Sequence, residues 1–377
     1  MNFNYTEEQL ALQDTLRRFI AKDYAFEHRR ATAESADGFD RSAWKTFADF
    51  GILALPFPED FGGISEHGGT AVDTMLVMEM LGRGLALEPY MSTVVLCGGL
   101  IRDAGGAAQK EALLPAIAGG ELMLALAHDE PGGRYEIDRV ATTATPTDGG
   151  WQLDGAKVVV LGAPSADKLI VSARDGKGLS LFLVDAKAAG VSMRTYPTQD
   201  GARAADVKLA KVAVGADALI GTAGNALPAI ERAIDYANAA LCAEAVGIMS
   251  ALNEVTLEYL KTRKQFGVPI GNFQALQHRM ADMVIATEQA RSMATLAAVR
   301  ADSPDAAERS RAVAAARAYI GTQARFVGQQ AVQLHGGMGV VDELNVSHYF
   351  KRLTMIGLTF GDVDFHLGRF SDTLLAA

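Results

Sequence analysis

Residues 259–283 read YLKTRKQFGVPIGNFQALQHRMADM, and this stretch joins two long helical patterns. Upstream, Leu241, Ala245, Ile248, Leu252, Val255 and Tyr259 recur at steps of three and four, the spacing of one face of an amphipathic helix. Gly267, Pro269 and Gly271 interrupt that pattern, and a new apolar stripe begins at Phe273 and continues through Leu276, Met280, Met283 and Val284. The break therefore predicts a hinge between two antiparallel helices rather than a domain boundary. It also places Arg263 and Phe266 at a helix end, where a guanidinium can grip a phosphate in a forked pair while a ring covers an apolar or heterocyclic group. The plainer reading is a favourable charge at a helix C-terminus beside a core phenylalanine.

Composition bounds the rest. With 377 residues, 49% of them hydrophobic, the chain can bury large cores. A net charge of −10 and the lack of a basic run argue against a nucleic-acid surface. Residues 1–10 carry Glu7 and Glu8 and lack a basic segment followed by an apolar one, which predicts no secretory signal and a mature chain beginning there. The weakly charged stretch 212–230 is broken by Asp217, three glycines and Pro228, so no membrane span is expected. Cys97 and Cys242 lie far apart and read as buried thiols of a reducing compartment, which predicts a cytoplasmic protein. No metal site is expected.

Residues 1–120 read as helical. Thr6 and Gln9 form a capping-box pattern ahead of a helix from about Glu7, and Ser42 is placed to cap a helix carrying Trp44, Phe47 and Phe50. Residues 121–220 change texture to short apolar runs, LMLALAH, WQLDG, KVVVLG, KLIVSA, LSLFLV and VKLAKVAV, separated by turn residues, which predicts a compact β-barrel or sandwich. Residues 221–377 are helical again, with a helix expected from Pro304 to His335, capped by Ser303 and closed by Gly336 and Gly337. The fold class expected is thus α+β, with a helical N-terminal domain, a β middle domain and a C-terminal four-helix bundle that builds an oligomer.

The string R-x-x-F-G followed by F-Q-x-L-Q-x-x-M-A-D-M resembles the signature of acyl-CoA dehydrogenases, as do FPEDFGG at 57–63, LLPAIAGGE at 113–121 and QLHGGMG at 333–339. ALCAEAVG, FVGQQAVQLHGG, HYFKRLTMI and FGD resemble more closely the small subunit of heteromeric pimeloyl-CoA dehydrogenases. The resemblance implies FAD, an acyl-CoA thioester substrate, and an electron-transfer flavoprotein partner. In the family FAD takes a hydride from the β carbon while a carboxylate removes the α proton. The carboxylate precedes the Gly of a Y-E-G-T motif, and the matching text here is Thr359, Phe360, Gly361, Asp362. The alternative family position, on the helix before R-x-x-F-G, is Ala237, followed by Asn238. Neither Phe360 nor Ala237 takes a proton. Glu244 is the nearby candidate base, but at seven residues from Ala237 it lies roughly 10 Å along the helix axis.

Motifs that cradle the flavin ring also diverge. The T-E-P-x-A-G-S-D pattern corresponds to Asp129, Glu130, Pro131, Gly132, Gly133, Arg134, Tyr135 and Glu136, and the ring-covering W-I-T to Val159, Val160 and Leu161. By contrast, the residues that in the family reach the ADP half of a neighbouring subunit's FAD are kept: Arg263, Gln265, Phe266, Gln274, Gln333, Gly336 and Gly337. The resemblance therefore implies a non-catalytic or FAD-sharing subunit of a heteromeric enzyme, beside a second dehydrogenase subunit. Two alternatives stand next to it: a self-sufficient FAD-containing homo-oligomer with an atypical base, and a flavin-free binding or scaffold protein.

Overall fold

The computed structural model describes residues 5–375, so the reading at residues 1–4 lies outside the described residues. Helices α1 (Glu7–Asp23), α2 (Phe26–Glu34), α3 (Arg41–Asp49) and α4 (Ala71–Gly84) are followed by a π-helical stretch (Met91–Gly98), α5 (Gly99–Ala104) and α6 (Ala107–Ala118). Strands β1 (Leu124–Ala127), β2 (Thr143–Thr147), β3 (Gly150–Leu161), β4 (Lys168–Arg174), β5 (Leu179–Asp185), β6 (Val191–Pro197), β7 (Arg203–Gly215) and β8 (Leu219–Ile220) come next. The chain ends with α7 (Leu227–Thr262), a hairpin of β9 (Lys264–Gln265) and β10 (Val268–Pro269), α8 (Gln274–Ala301), α9 (Ala306–His335), α10 (Asn345–Ile356) and α11 (Val363–Leu375). This is the expected α+β order of helices, sheet and helices.

Local chemistry explains most of the boundaries. At α1 the capping box forms: Gln9 N donates to Thr6 Oγ1 at 3.2 Å and Thr6 N to Gln9 Oε1 at 2.9 Å. Two expected caps move. Asp40, not Ser42, caps α3 by accepting from Ser42 N at 2.7 Å, and Asp305, not Ser303, caps α9 by accepting from Ala307 N and Glu308 N at 2.9 and 3.2 Å. In both cases a carboxylate one or two residues from the expected cap reaches the free amides, the stronger arrangement at a positive helix end. Helix α2, FEHRRATAE, is too polar to show an apolar period.

Contacts divide the chain into two compact units, one of residues up to 31, 71–86 and from 238 on, the other of residues 32–70 and 87–237. The second unit is built on a sheet of order β6-β7-β3-β2-β4-β5-β8, with β1 beside β4. Its pairings are antiparallel except those of β1 and β2 with β4. Leu153, Val160, Leu169, Val171, Phe182 and Val207 form its buried core. WQLDG and KVVVLG, read as separate runs, are one strand, β3, bent by register shifts at Leu153/Gly155 and Lys157/Val160.

Among the described residues after the sheet there are three long helices, α7, α8 and α9, with the shorter α10 and α11 where a fourth long helix was expected. Helix α7 is long and apolar enough to cross a membrane by length and composition, yet most of its apolar stretch is buried in protein, as in a core helix. Helices α4 and α7 meet backbone to backbone: a Cβ on Gly82 would lie 2.3 Å from Glu244 O, and one on Gly247 only 1.9 Å from Glu79 O. Only glycine permits that approach. Gly247→Ala is expected to lower stability by about 1–3 kcal/mol in urea unfolding, because a backbone carbonyl must move. Gly99→Ala, where a Cβ would meet nothing within 4 Å, is expected instead to gain about 0.5–1 kcal/mol.

Candidate functional site

Helix α7 ends in a bond from Arg263 N to Tyr259 O at 2.8 Å, and Ile270 N closes the following hairpin on Arg263 O at 2.8 Å. Gln265 and Val268 pair across a two-residue turn whose central residues, Phe266 and Gly267, both have positive φ, 54° and 83°. That conformation matches the twist of a tight hairpin and normally calls for glycine or asparagine at both positions. Phe266 adopts it and is 90% exposed, its ring edge-on to Phe273 at 6.1 Å. Gln274 opens α8 and is exposed. Arg263 is exposed, and its guanidinium has no hydrogen-bond or ion-pair partner among the described residues.

The second group sits at the end of α9. Gln333 is exposed and its carbonyl accepts from Gly336 N; Gly336 turns with φ 59° and ψ −139°. A Cβ on Gly336 or Gly337 would meet nothing within 4 Å, so the corner is open to a group coming close to its backbone. Tyr259 joins the two groups, its ring stacked on His335 at 4.3 Å and 29°. His335, read as a helix-end cation or a packing residue, is the latter: burial lowers its pKa and its Nδ1 donates to Ala331 O at 2.8 Å.

None of the three residues examined as bases is free to act as one. Glu244 is buried and both its oxygens accept from Arg352, at 2.6 Å from Nε and 2.8 Å from Nη2. Ala237 is fully buried, and the amide atoms of the equally buried Asn238 have no hydrogen-bond partner among the described residues. Phe360 stands in a loop with φ 55°, before Gly361 at φ 124°. The loop is held by Arg317, whose Nη2 donates to Ile356 O, Thr359 O and Gly361 O at 2.7, 2.8 and 3.2 Å. The loop geometry is thus well supported while its side chain is apolar.

In the sheet unit, Val159 lies in the β3 bulge with φ 52° and is 46% exposed. Its N–H donates to Asp206 Oδ1 at 3.3 Å, and Asp206 is bound in turn by Arg194 Nη2 at 2.6 Å and Tyr196 Oη at 2.8 Å. Beside it runs an open groove of about 860 Å³ between β3, β6 and β7. At the position that the resemblance aligns with the ring-covering tryptophan stands a bare valine beside a charged pair, which offers an isoalloxazine ring no stacking partner. Asp129 adds a carboxyl that desolvation pushes up to about 6 against the pull of Lys157.

Behind Asp129 lies a buried network that the motifs did not reveal. Lys157, fully buried, donates to Glu130 Oε1 at 2.7 Å, Ser172 Oγ at 2.9 Å and His128 O at 3.2 Å. Glu130 also accepts from Ala141 N, Thr142 N and Thr142 Oγ1, and these donors together with Lys157 hold it low in spite of burial. Ser172 Oγ accepts a hydrogen bond from Lys157 and so turns its own O–H to His128 Nδ1 at 2.9 Å. One lysine in KVVVLG, a strand otherwise apolar after its first position, was the available signal.

Models of the acyl-CoA dehydrogenase N-terminal, middle and C-terminal domains match residues 6–121, 125–212 and 225–375. The chain is 29% identical over 364 residues to the probable acyl-CoA dehydrogenase YngJ of Bacillus subtilis, covering 93% of each. Among solved structures it is similar to the Tcur3481-Tcur3483 steroid ACAD, with TM-score 0.88, 31% identity and 98% of both chains covered. It is also similar to the ChsE4-ChsE5 complex from Mycobacterium tuberculosis, with TM-score 0.90, 28% identity and 100% of both chains covered.

Burial, followed by the Lys157 ammonium, pushes His128 down to about 4. Between pH 6.5 and 4 the unfolded chain then binds more protons at this site than the folded one. The contribution of His128 to stability is complete above pH 6.5 and is lost as the pH drops to 4, on the order of 3 kcal/mol across the window. Asp129, pushed up to about 6, works in the opposite direction over the same window, so the comparison is between variants: in urea unfolding at pH 7 and pH 4, His128→Gln should lose less stability, or gain more, than the wild type on going to pH 4.

Proposed function

The chain belongs to the acyl-CoA dehydrogenase family of FAD-dependent oxidoreductases, and on that premise we propose that it is the FAD-sharing, non-catalytic subunit of a heteromeric acyl-CoA dehydrogenase. The observation that carries this reading is the side chain at both family base positions, Phe360 and Ala237, with Glu244 bound on both oxygens by Arg352. FAD, when bound, accepts the hydride, but the α proton of the thioester needs a base that these positions do not supply. The partner subunit provides that carboxylate and the face that covers the flavin ring. This chain contributes Arg263, Gln265, Phe266, Gln274, Gln333, Gly336 and Gly337 to the ADP half. The free guanidinium of Arg263 and the open corner at Gly336 and Gly337 support that assignment.

Two of the similar structures carry paired names, Tcur3481-Tcur3483 and ChsE4-ChsE5, which is consistent with a chain that works beside a second one. The proposal extends to an acyl-CoA thioester as substrate, to electron-transfer flavoprotein as acceptor and to a cytoplasmic location. It keeps the division into helical, β and bundle domains at residues 120 and 220. The finer resemblance to the pimeloyl-CoA dehydrogenase small subunit adds a dicarboxylyl-CoA as the acyl group to test first.

Purified alone, the chain is expected to turn over acyl-CoA with a dye acceptor at background rate, since a positioned general base contributes on the order of 10² to 10⁴ in rate. Rapid turnover without a partner would overturn the non-catalytic assignment. The pure chain should be colourless and become yellow with FAD only beside its partner; a chain that is yellow alone is self-sufficient, and one that never takes flavin is a scaffold.

Arg263→Ala should weaken FAD retention by the complex tenfold to hundredfold, the loss of a charge-assisted forked bond of about 1.5–3 kcal/mol. Val159→Asp should leave retention unchanged, as measured by flavin absorbance after dialysis. The reverse pattern would mean that this chain holds the ring itself.

A further inference from the structure

Arg263 and the Gly336 corner come from helix ends 73 positions apart in sequence, so something must fix the gap between them. Tyr259 touches both. Its carbonyl accepts from Arg263 N at 2.8 Å and from Thr262 Oγ1 at 3.4 Å, which holds the first residue of the hairpin. Its hydroxyl donates to His335 O at 3.3 Å, the carbonyl immediately before Gly336, and its ring lies on the His335 ring. His335 cannot turn away, because its Nδ1 donates back to Ala331 O within α9. The far side of the corner is equally tight, since a Cβ on Gly339 would lie 2.5 Å from Val332 O.

We infer that Tyr259 and His335 are positioning residues that set the spacing between the main chain at Arg263, from which its guanidinium projects, and the Gly336–Gly337 backbone, framing one grip for the diphosphate of a dinucleotide. The inference rests on the cofactor-lending role proposed above and says how that role is built. Tyr259 is only half-buried and covers the buried His335 ring from the outer side. What it does contribute is coupling: neither the hairpin nor the corner can shift without the other. Fixing the two stretches of main chain that carry Arg263 and the glycines before the ligand arrives removes part of the ordering cost of binding, leaving the arginine side chain to close on the ligand.

The test uses the full-length chain, with its partner where flavin is measured. Hydrogen exchange is followed in residues 263–271 and 336–340 of the wild type, Tyr259→Leu, Tyr259→Phe and Arg263→Ala, and FAD affinity is measured for the same set. Tyr259→Leu is expected to speed exchange in both segments together and to weaken FAD about threefold to tenfold, the worth of one aromatic pair. Tyr259→Phe keeps the stack, and both readouts should stay within about twofold of wild type. Unchanged exchange in Tyr259→Leu, or faster exchange in one segment only, overturns the inference. Coupled loosening in Tyr259→Leu with FAD affinity untouched by Arg263→Ala keeps the coupling and overturns the cofactor role on which it rests. Should Tyr259→Leu fail to fold, His335→Gln removes the opposite ring and carries the same expectations.

Discussion

At Gly82 and Gly247 the backbones of α4 and α7 touch with no side chain between them, and the first unit is assembled around that contact. A crossing this close buries whatever lies beside it, and what lies beside it are two carboxylates, Glu79 and Glu244. A buried carboxylate without a partner is costly, so each must be met by a cation from outside the crossing. Arg291 of α8 meets Glu79 at 2.6 Å, and Arg352 of α10 meets Glu244 with both ends of its fork. The two glycines thus dictate the places of two further helices. Glu244 thus spends both its oxygens on Arg352.

Much of this architecture could be read from local pattern. Apolar spacing located α7 and α8, and the interruption by Gly267, Pro269 and Gly271 located the hairpin between them. Thr6 with Gln9 announced α1 because a capping box is complete within four residues. What stayed hidden depends on contacts distant in sequence. Strand β6 is largely exposed and β2 contains Pro146, so neither carries a clean alternation. The Arg352 partner of Glu244 is 108 positions away, and the Tyr259–His335 stack spans 76. In sequence Tyr259 is simply the last residue of an apolar stripe; its ring acquires a role only when α9 lies beside it.

The candidate site divides along the same line. Its retained half consists of short motifs at helix ends, where a few residues and two glycines specify the geometry locally. The half that the resemblance marks as altered lies in the sheet unit, where Asp129, Tyr135, Val159 and Leu161 align with the hydroxyls and the indole of the family motifs. The replacements are not isolated, for Asp206 now bonds the Val159 amide together with Arg194 and Tyr196. A face that has built its own ion pair has no vacancy of the old shape. The buried Lys157–Glu130 pair behind it persists, and removing either member would leave a charge uncompensated, a change worth about 3–5 kcal/mol.

Val159 carries one more consequence. A β-branched residue with φ of 52° sits where the backbone disfavours it by roughly 1–2 kcal/mol, and nothing in its own side chain recommends the position. The bulge survives because the register on either side of it, Lys157 with Val207 and Val160 with Ala205, leaves the intervening residues no other path. Shape and chemistry are therefore separable in this sheet. The path of the main chain is set by that pairing of its neighbours, so replacing Val159 changes what the bulge presents while the bulge itself stays.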